Sequence, residues 1–162
     1  MQVTVCGGGN AAHVLAGLLS ARRDCEVSVY APYDDEAERW RKGVAARGGI
    51  AVVRSGDTVV GRPCRISADP AEVVPGSRLV LLAVPAFAHE LTLRQISPHL
   101  DTEAWVGAFP ARGGFDWCVE DVLWGNPEAW RISKEHPLRH VGASVVFGLQ
   151  TLPWACRIRV YG

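Results

Sequence analysis

The feature that most constrains this chain is Val5-Cys6-Gly7-Gly8-Gly9-Asn10-Ala11-Ala12-His13, where an apolar run breaks into three consecutive glycines and resumes with helical spacing. Glycine loses more chain entropy on folding than any other residue. Three together are therefore costly, unless the backbone must turn sharply or something must come very close to it. Residues 3–6 read as a short buried strand. Ala11, Val14, Leu15, Leu18 and Leu19 recur at i, i+3, i+4, i+7 and i+8, one face of a helix. Residues 25–31 are apolar and β-branched, a second strand that Pro32 stops.

The alternation continues. A helix is expected to open at Asp34 or Asp35 and to end by Gly43 or by Gly48 and Gly49. Residues 50–67 read as a hairpin turning at Ser55-Gly56-Asp57, and a short helical turn follows near residues 71–74. Residues 78–84 are almost wholly apolar, as suits a central parallel strand buried on both faces. Helix 88–100, strand 103–108, helix 115–124, strand 141–147 and a last strand over 155–162 complete the series. Residues 124–140, polar and proline-bearing, read as an inserted surface loop. Strands alternating with helices predict a Rossmann-type, doubly wound α/β fold, a mostly parallel sheet with helices on both faces. At 162 residues one such domain, spanning 1–162, is expected.

Within that frame Gly7-x-Gly9-x-x-Ala12 matches the dinucleotide fingerprint in its G-x-G-x-x-A form. Gly7 permits the turn, Gly9 leaves room for a pyrophosphate, and Ala12 lets the helix pack close to the strand. The N–H groups and positive end of a helix starting near Asn10 then face the phosphates. Beyond the second strand an acid reads the ribose of NAD, whereas an Arg suits the 2′-phosphate of NADP. Asp34 and Asp35 lie there, and no basic residue precedes Arg39, which favours NAD over NADP. The same two acids serve equally as helix caps. Val84, Pro85 and Ala86 end the central strand at the carboxyl edge, where open α/β folds bind ligands. His89 follows; without a visible partner it reads as structural rather than as an acid or base.

Several classes are excluded by composition. Seventeen basic residues balance seventeen acidic ones, and no basic run exceeds two, so no nucleic-acid footprint is present. No apolar stretch has the length of a membrane span. The five cysteines are odd in number and never in CxxC spacing, which fits neither a disulfide framework nor a zinc site. Together with the glycines that interrupt any apolar leader, they point to the reducing cytoplasm.

Five segments taken in order resemble the opine dehydrogenases, the octopine dehydrogenase-like family. They are VCGGGNAAH (5–13), DEAERW (35–40), VPAFAHE (84–90), GGFDWC (113–118) and TLPWACRI (151–158). The resemblance implies an NADH-dependent enzyme that couples an amino acid to a 2-keto acid such as pyruvate and reduces the imine. It also implies a second, helical domain of the same polypeptide that carries the catalytic histidine. No match to that domain is found here, so this chain is expected to bind NADH (NAD) without turnover and to hold no catalytic residue. The resemblance carries Gly7, Gly9, Asn10 and Ala12 over to the phosphate loop; the full cofactor set expected is Gly7, Gly8, Gly9, Asn10, Ala11 and Ala12, with Tyr33 and Asp35 beyond the second strand and Val84, Pro85 and Ala86 at the carboxyl edge. Ala11 stands where the family usually has Gly. The substrate contacts implied are Arg112, Thr151 and Cys156. Arg112 replaces a usual Gln and either grips a carboxylate or reaches solvent, while Cys156 lies in the substrate motif or is simply a small core residue. Two other readings remain open: an NADP-dependent dehydrogenase of the ketopantoate reductase kind, and a nucleotide-sensing module without catalysis.

Overall fold

In the computed structural model, which describes residues 1–111, 113–123 and 145–161, the chain begins with β1 (Gln2–Cys6), α1 (Asn10–Ser20) and β2 (Glu26–Tyr30). Helix α2 (Glu36–Arg47), hairpin strands β3 (Ile50–Arg54) and β4 (Asp57–Gly61), strand β5 (Arg65–Ser67) and helix α3 (Pro70–Val73) follow. Then come β6 (Leu79–Leu82), α4 (His89–Ile96), β7 (Trp105–Ala108), α5 (Phe115–Leu123) and β8 (Val145–Gly148). Among the described residues six strands make one parallel sheet in the order β5-β2-β1-β6-β7-β8, and β3 and β4 pair antiparallel apart from it. This is the doubly wound arrangement the alternation predicts. Among the described residues no helix is long and apolar enough to cross a membrane.

Side chains alternate across the sheet, as a period of two requires. Val3, Val5, Leu81 and Ala83 face one core with Ala12, Leu15 and Trp40 of α1 and α2. Cys6, Val80 and Leu82 face the other with Leu93, Val119 and Leu123 of α4 and α5. The strands are buried on both faces, which explains why residues 78–84 show no polar alternation. Trp40 is fully buried, and its loss to Ala would cost about 3–5 kcal/mol.

Two expectations need correction. Residues 50–67 are not one hairpin. The turn at Ser55-Gly56 joins β3 to β4, but Arg65, Ile66 and Ser67 leave that pair to lie parallel beside β2. Pro63 lacks the N–H that a continuing ladder uses, and Cys64 N–H already donates to the Val27 carbonyl at 2.8 Å. The last segment is no strand either: among the described residues the sheet ends at Gly148, and residues 149–161 run outside it. Their alternation has another cause. Cys156 and Ile158 are half-buried while Arg157 and Arg159 are exposed, so a segment lying against α1 and β3 imitates a strand. Helix 88–100 proves to be α4 between two single 3-10 turns, the second holding Pro98. The loop at 124–140, Arg112, and the first residues of the strand expected at 141–147 lie outside the described residues.

Candidate dinucleotide-binding site

The sheet reverses winding between β1 and β6, so the carboxyl ends of these strands open a crevice, the place where such folds bind ligands. The glycines occupy its floor. Gly7 has φ +124°, outside the range of L side chains, and a Cβ there would lie 2.6 Å from the Ala83 carbonyl oxygen and 3.0 Å from Val84 Cγ1. Gly7 is thus required by the close approach of the end of β6, and it brings Val84 to the turn. Val84 is buried, whereas Pro85 and Ala86 are exposed on the rim.

Gly9 is different. It has extended backbone angles and no atom within 4 Å of where a Cβ would stand. It caps α1, and its carbonyl accepts the first helical bond, from His13 N–H at 3.1 Å. The N–H groups of Asn10, Ala11 and Ala12 therefore have no partner within the helix. An open space beside Gly9, at the positive end of an eleven-residue helix, is a cradle of the kind an anionic pyrophosphate fills. Ala12 is fully buried against the strands, as close helix packing requires. Ala11 is half-buried.

Gly8 is glycine for yet another reason. A Cβ there would fall on the Glu36 carboxylate, 2.2 Å from Oε2. That oxygen is buried and has no hydrogen-bond partner among the described residues. Burial raises the Glu36 pKa, Arg39 opposes the shift, and Asp34 and Asp35 add to it. Asp35 turns outward to Arg39 at 2.7 Å, and both side chains are largely exposed. Tyr33 is exposed, and its carbonyl accepts from Glu36 N–H at 2.9 Å. The acid at the glycine turn is thus Glu36, the first residue of α2, and not the Asp35 named from sequence. The register of α2 decides this: its N-cap faces out and its first residue faces back across the turn.

Around these groups the packing is aromatic. The His13 ring stacks on Trp40 at 4.0 Å, and its Nδ1 lies 3.1 Å from the Gly9 carbonyl, so that nitrogen carries the proton. Desolvation lowers the His13 pKa to about 4, the carbonyl bond opposing, so the ring is neutral at neutral pH. His89 is buried edge-on to Phe115 at 5.1 Å, and its pKa is likewise lowered by burial, with a bond to the Val84 backbone opposing.

The expected substrate residues are more scattered. Thr151 is exposed three residues beyond β8. Cys156 is half-buried and lines a cavity of about 450 Å³ between α1, β3 and residues 156–160, shared with Asn10 and His13. Arg112 lies outside the described residues.

No protein-family model matches the chain. Octopine dehydrogenase of Mizuhopecten yessoensis is 37% identical to it over 166 residues, which cover all of this chain and 38% of the relative. Tauropine dehydrogenase of Arabella iricolor is 34% identical over 164 residues, covering 99% of this chain and 38% of the relative. The chain thus spans well under half the length of the relatives it matches. A solved octopine dehydrogenase with NADH and L-arginine superposes with a TM-score of 0.80 at 34% identity, over 100% of this chain and 38% of that one. Another, with NADH and pyruvate, gives 0.77 over 99% of this chain and 38% of that one. Over its whole length the chain is a homologue of the octopine and opine dehydrogenases, matched to their N-terminal part.

Proposed function

We propose that this chain is the NADH-binding part of an opine dehydrogenase, which joins an amino acid to a 2-keto acid such as pyruvate by reductive condensation. One observation carries the reading: the backbone is open at Gly9, at the N-terminus of α1, while the adjoining Gly8 meets the half-buried Glu36, whose Oε2 has no hydrogen-bond partner among the described residues, and Gly7 meets the end of β6. The fit to a dinucleotide is residue by residue. The turn at Gly9 and the first N–H groups of α1 take the pyrophosphate. Glu36, an acceptor without a donor, takes the hydroxyls of the adenosine ribose. Pro85 and Ala86, small and exposed just beyond the Ala83–Val84 segment that meets Gly7, leave room for the nicotinamide end. When bound, NADH supplies the hydride that reduces the imine carbon.

The chain's own share of the work is placement. Rigid anchoring at the sheet edge fixes where the reactive ring stands, which removes orientational freedom from the reaction. Thr151, beyond β8 on the same edge, is the candidate contact for the keto acid, with Arg112 and Cys156 as further candidates. The second domain of the same polypeptide is proposed to supply the proton donor and the amino-acid pocket, and the active protein is proposed to work in the cytoplasm.

A carboxylate beside the ribose repels a 2′-phosphate, and Arg39 is already engaged by Asp35 and by the Tyr161 ring. NADH is therefore preferred to NADPH. Titration with both cofactors tests this: Glu36→Gln should weaken NADH about tenfold or more and narrow the preference, while Asp35→Asn, which only frees Arg39, leaves NADH affinity unchanged. Equal binding of NADH and NADPH by the unaltered chain would sink the assignment.

A further inference from the structure

Residues 156–161, having left the sheet, return to the glycine turn from behind. Ile158 N–H donates to Asn10 Oδ1 at 2.8 Å, and the Tyr161 hydroxyl donates to the Gly8 carbonyl at 3.0 Å. These two bonds fall on either side of Gly9. Tyr161 is itself held from several directions. Its ring meets His13 edge-on at 4.6 Å, the Arg39 guanidinium lies 4.6 Å from the ring centroid, and its carbonyl accepts from Arg47 at 3.2 Å. Anchored on both α1 and α2, the side chain has little freedom in where it presents its hydroxyl.

Gly8 and Gly9 have the opposite property. Neither has a side chain to lock its backbone, and the space at Gly9 is open. Free glycine peptides sample many orientations, and a phosphate-binding turn works only in the one that aims its N–H groups outward. A hydroxyl that grips the Gly8 carbonyl restricts the Gly8–Gly9 peptide plane directly. Core filling does not account for the hydroxyl, because a phenylalanine ring would fill the same space.

We propose that Tyr161 is a positioning residue for pyrophosphate recognition: through the Gly8 carbonyl, and with the Ile158–Asn10 bond as its second tie, it holds the glycine turn in its binding geometry. Asn10 then serves the turn twice, its backbone N–H facing the phosphates and its side chain facing the brace. The inference rests on the dinucleotide reading above. The Tyr161 pKa is pushed up to about 12, by burial first and by the charge of Glu36 next, so the hydroxyl keeps its proton.

Two ligands separate this role from a structural one. ADP-ribose carries the pyrophosphate, and adenosine does not. Calorimetric titration of Tyr161→Phe should show ADP-ribose bound about three- to tenfold more weakly than by the unaltered chain. Adenosine affinity should be unchanged, and the melting temperature should fall by only about 2–4 °C, as the loss of one part-buried hydrogen bond implies. Asn10→Ala, which removes the second tie and places a good helix former at the start of α1, should weaken ADP-ribose in the same sense. Unchanged ADP-ribose binding by both variants overturns the inference while leaving the dinucleotide reading intact, and so does an equal loss of both ligands. Failure of the unaltered chain to bind ADP-ribose overturns the dinucleotide reading, and the inference with it.

Discussion

Gly7, Gly8 and Gly9 are identical in the sequence, yet three different neighbours explain them: the end of β6, the Glu36 carboxylate, and open space. The spacing matches a dinucleotide turn because backbone approach to a phosphate requires glycine at fixed positions. The acid beside the turn could not be read the same way. Asp34, Asp35 and Glu36 are adjacent acids, and only the register of α2 decides which one points at the turn. His13 is a second residue whose state depends on packing. Its folded pKa lies at about 4, below the ordinary 6.5, because the buried ring resists charge. In the unfolded chain it takes up a proton first, so the stability it contributes is present above pH 6.5 and is lost as pH falls towards 4. That linkage amounts to about 3 kcal/mol. Melting curves across this interval should show His13→Phe, which can still stack on Trp40, losing about that much less than the unaltered chain. Parallel curves would mean the ring is not held neutral by burial.

At the scale of elements, the β3–β4 hairpin is set directly on the backbone of α1. A Cβ on Gly61 would stand 2.0 Å from the Gly17 carbonyl oxygen, and one on Gly17 would stand 2.6 Å from Val52 Cγ2. Such contacts leave no slack, and overpacking of this kind costs about 1–3 kcal/mol. Gly61→Ala should therefore lower the melting temperature by about 2–4 °C for each kcal/mol lost, and an unchanged melt would show that the hairpin can shift away. This helix–hairpin contact also explains what periodicity left out. The apolar stripe named from sequence was one face of α1, but Ala12 and Ala16 are the residues buried to zero, and Gly17 meets the hairpin. The parallel strands were legible because burial on both faces leaves nearly continuous apolar runs. Residues 155–161 mislead for the converse reason. Alternation reports one buried side, and it cannot say whether a sheet or a helix does the burying.

At the scale of the whole molecule, strand order places the glycine turn, the end of β6 and the start of α2 around one crevice, although they lie far apart in sequence. Residues 156–161 then tie the most distant part of the described chain back to that crevice. The fold was legible from the first thirty residues and the alternation that follows, and the glycine turn from its spacing. The brace was not, because long-range hydrogen bonds from a backbone N–H and a lone hydroxyl leave no pattern in a sequence. The central claim is that the space beside Gly9 receives the phosphates of NADH, and Gly9→Val tests it most directly. Its backbone angles suit any residue and its Cβ meets nothing, so the fold should survive with a loss of at most about 1 kcal/mol from the weaker cap. Calorimetric titration with NADH, run beside a thermal melt, should show saturable binding by the unaltered chain and none by an equally folded Gly9→Val. NADH binding of undiminished affinity by that variant would contradict the account.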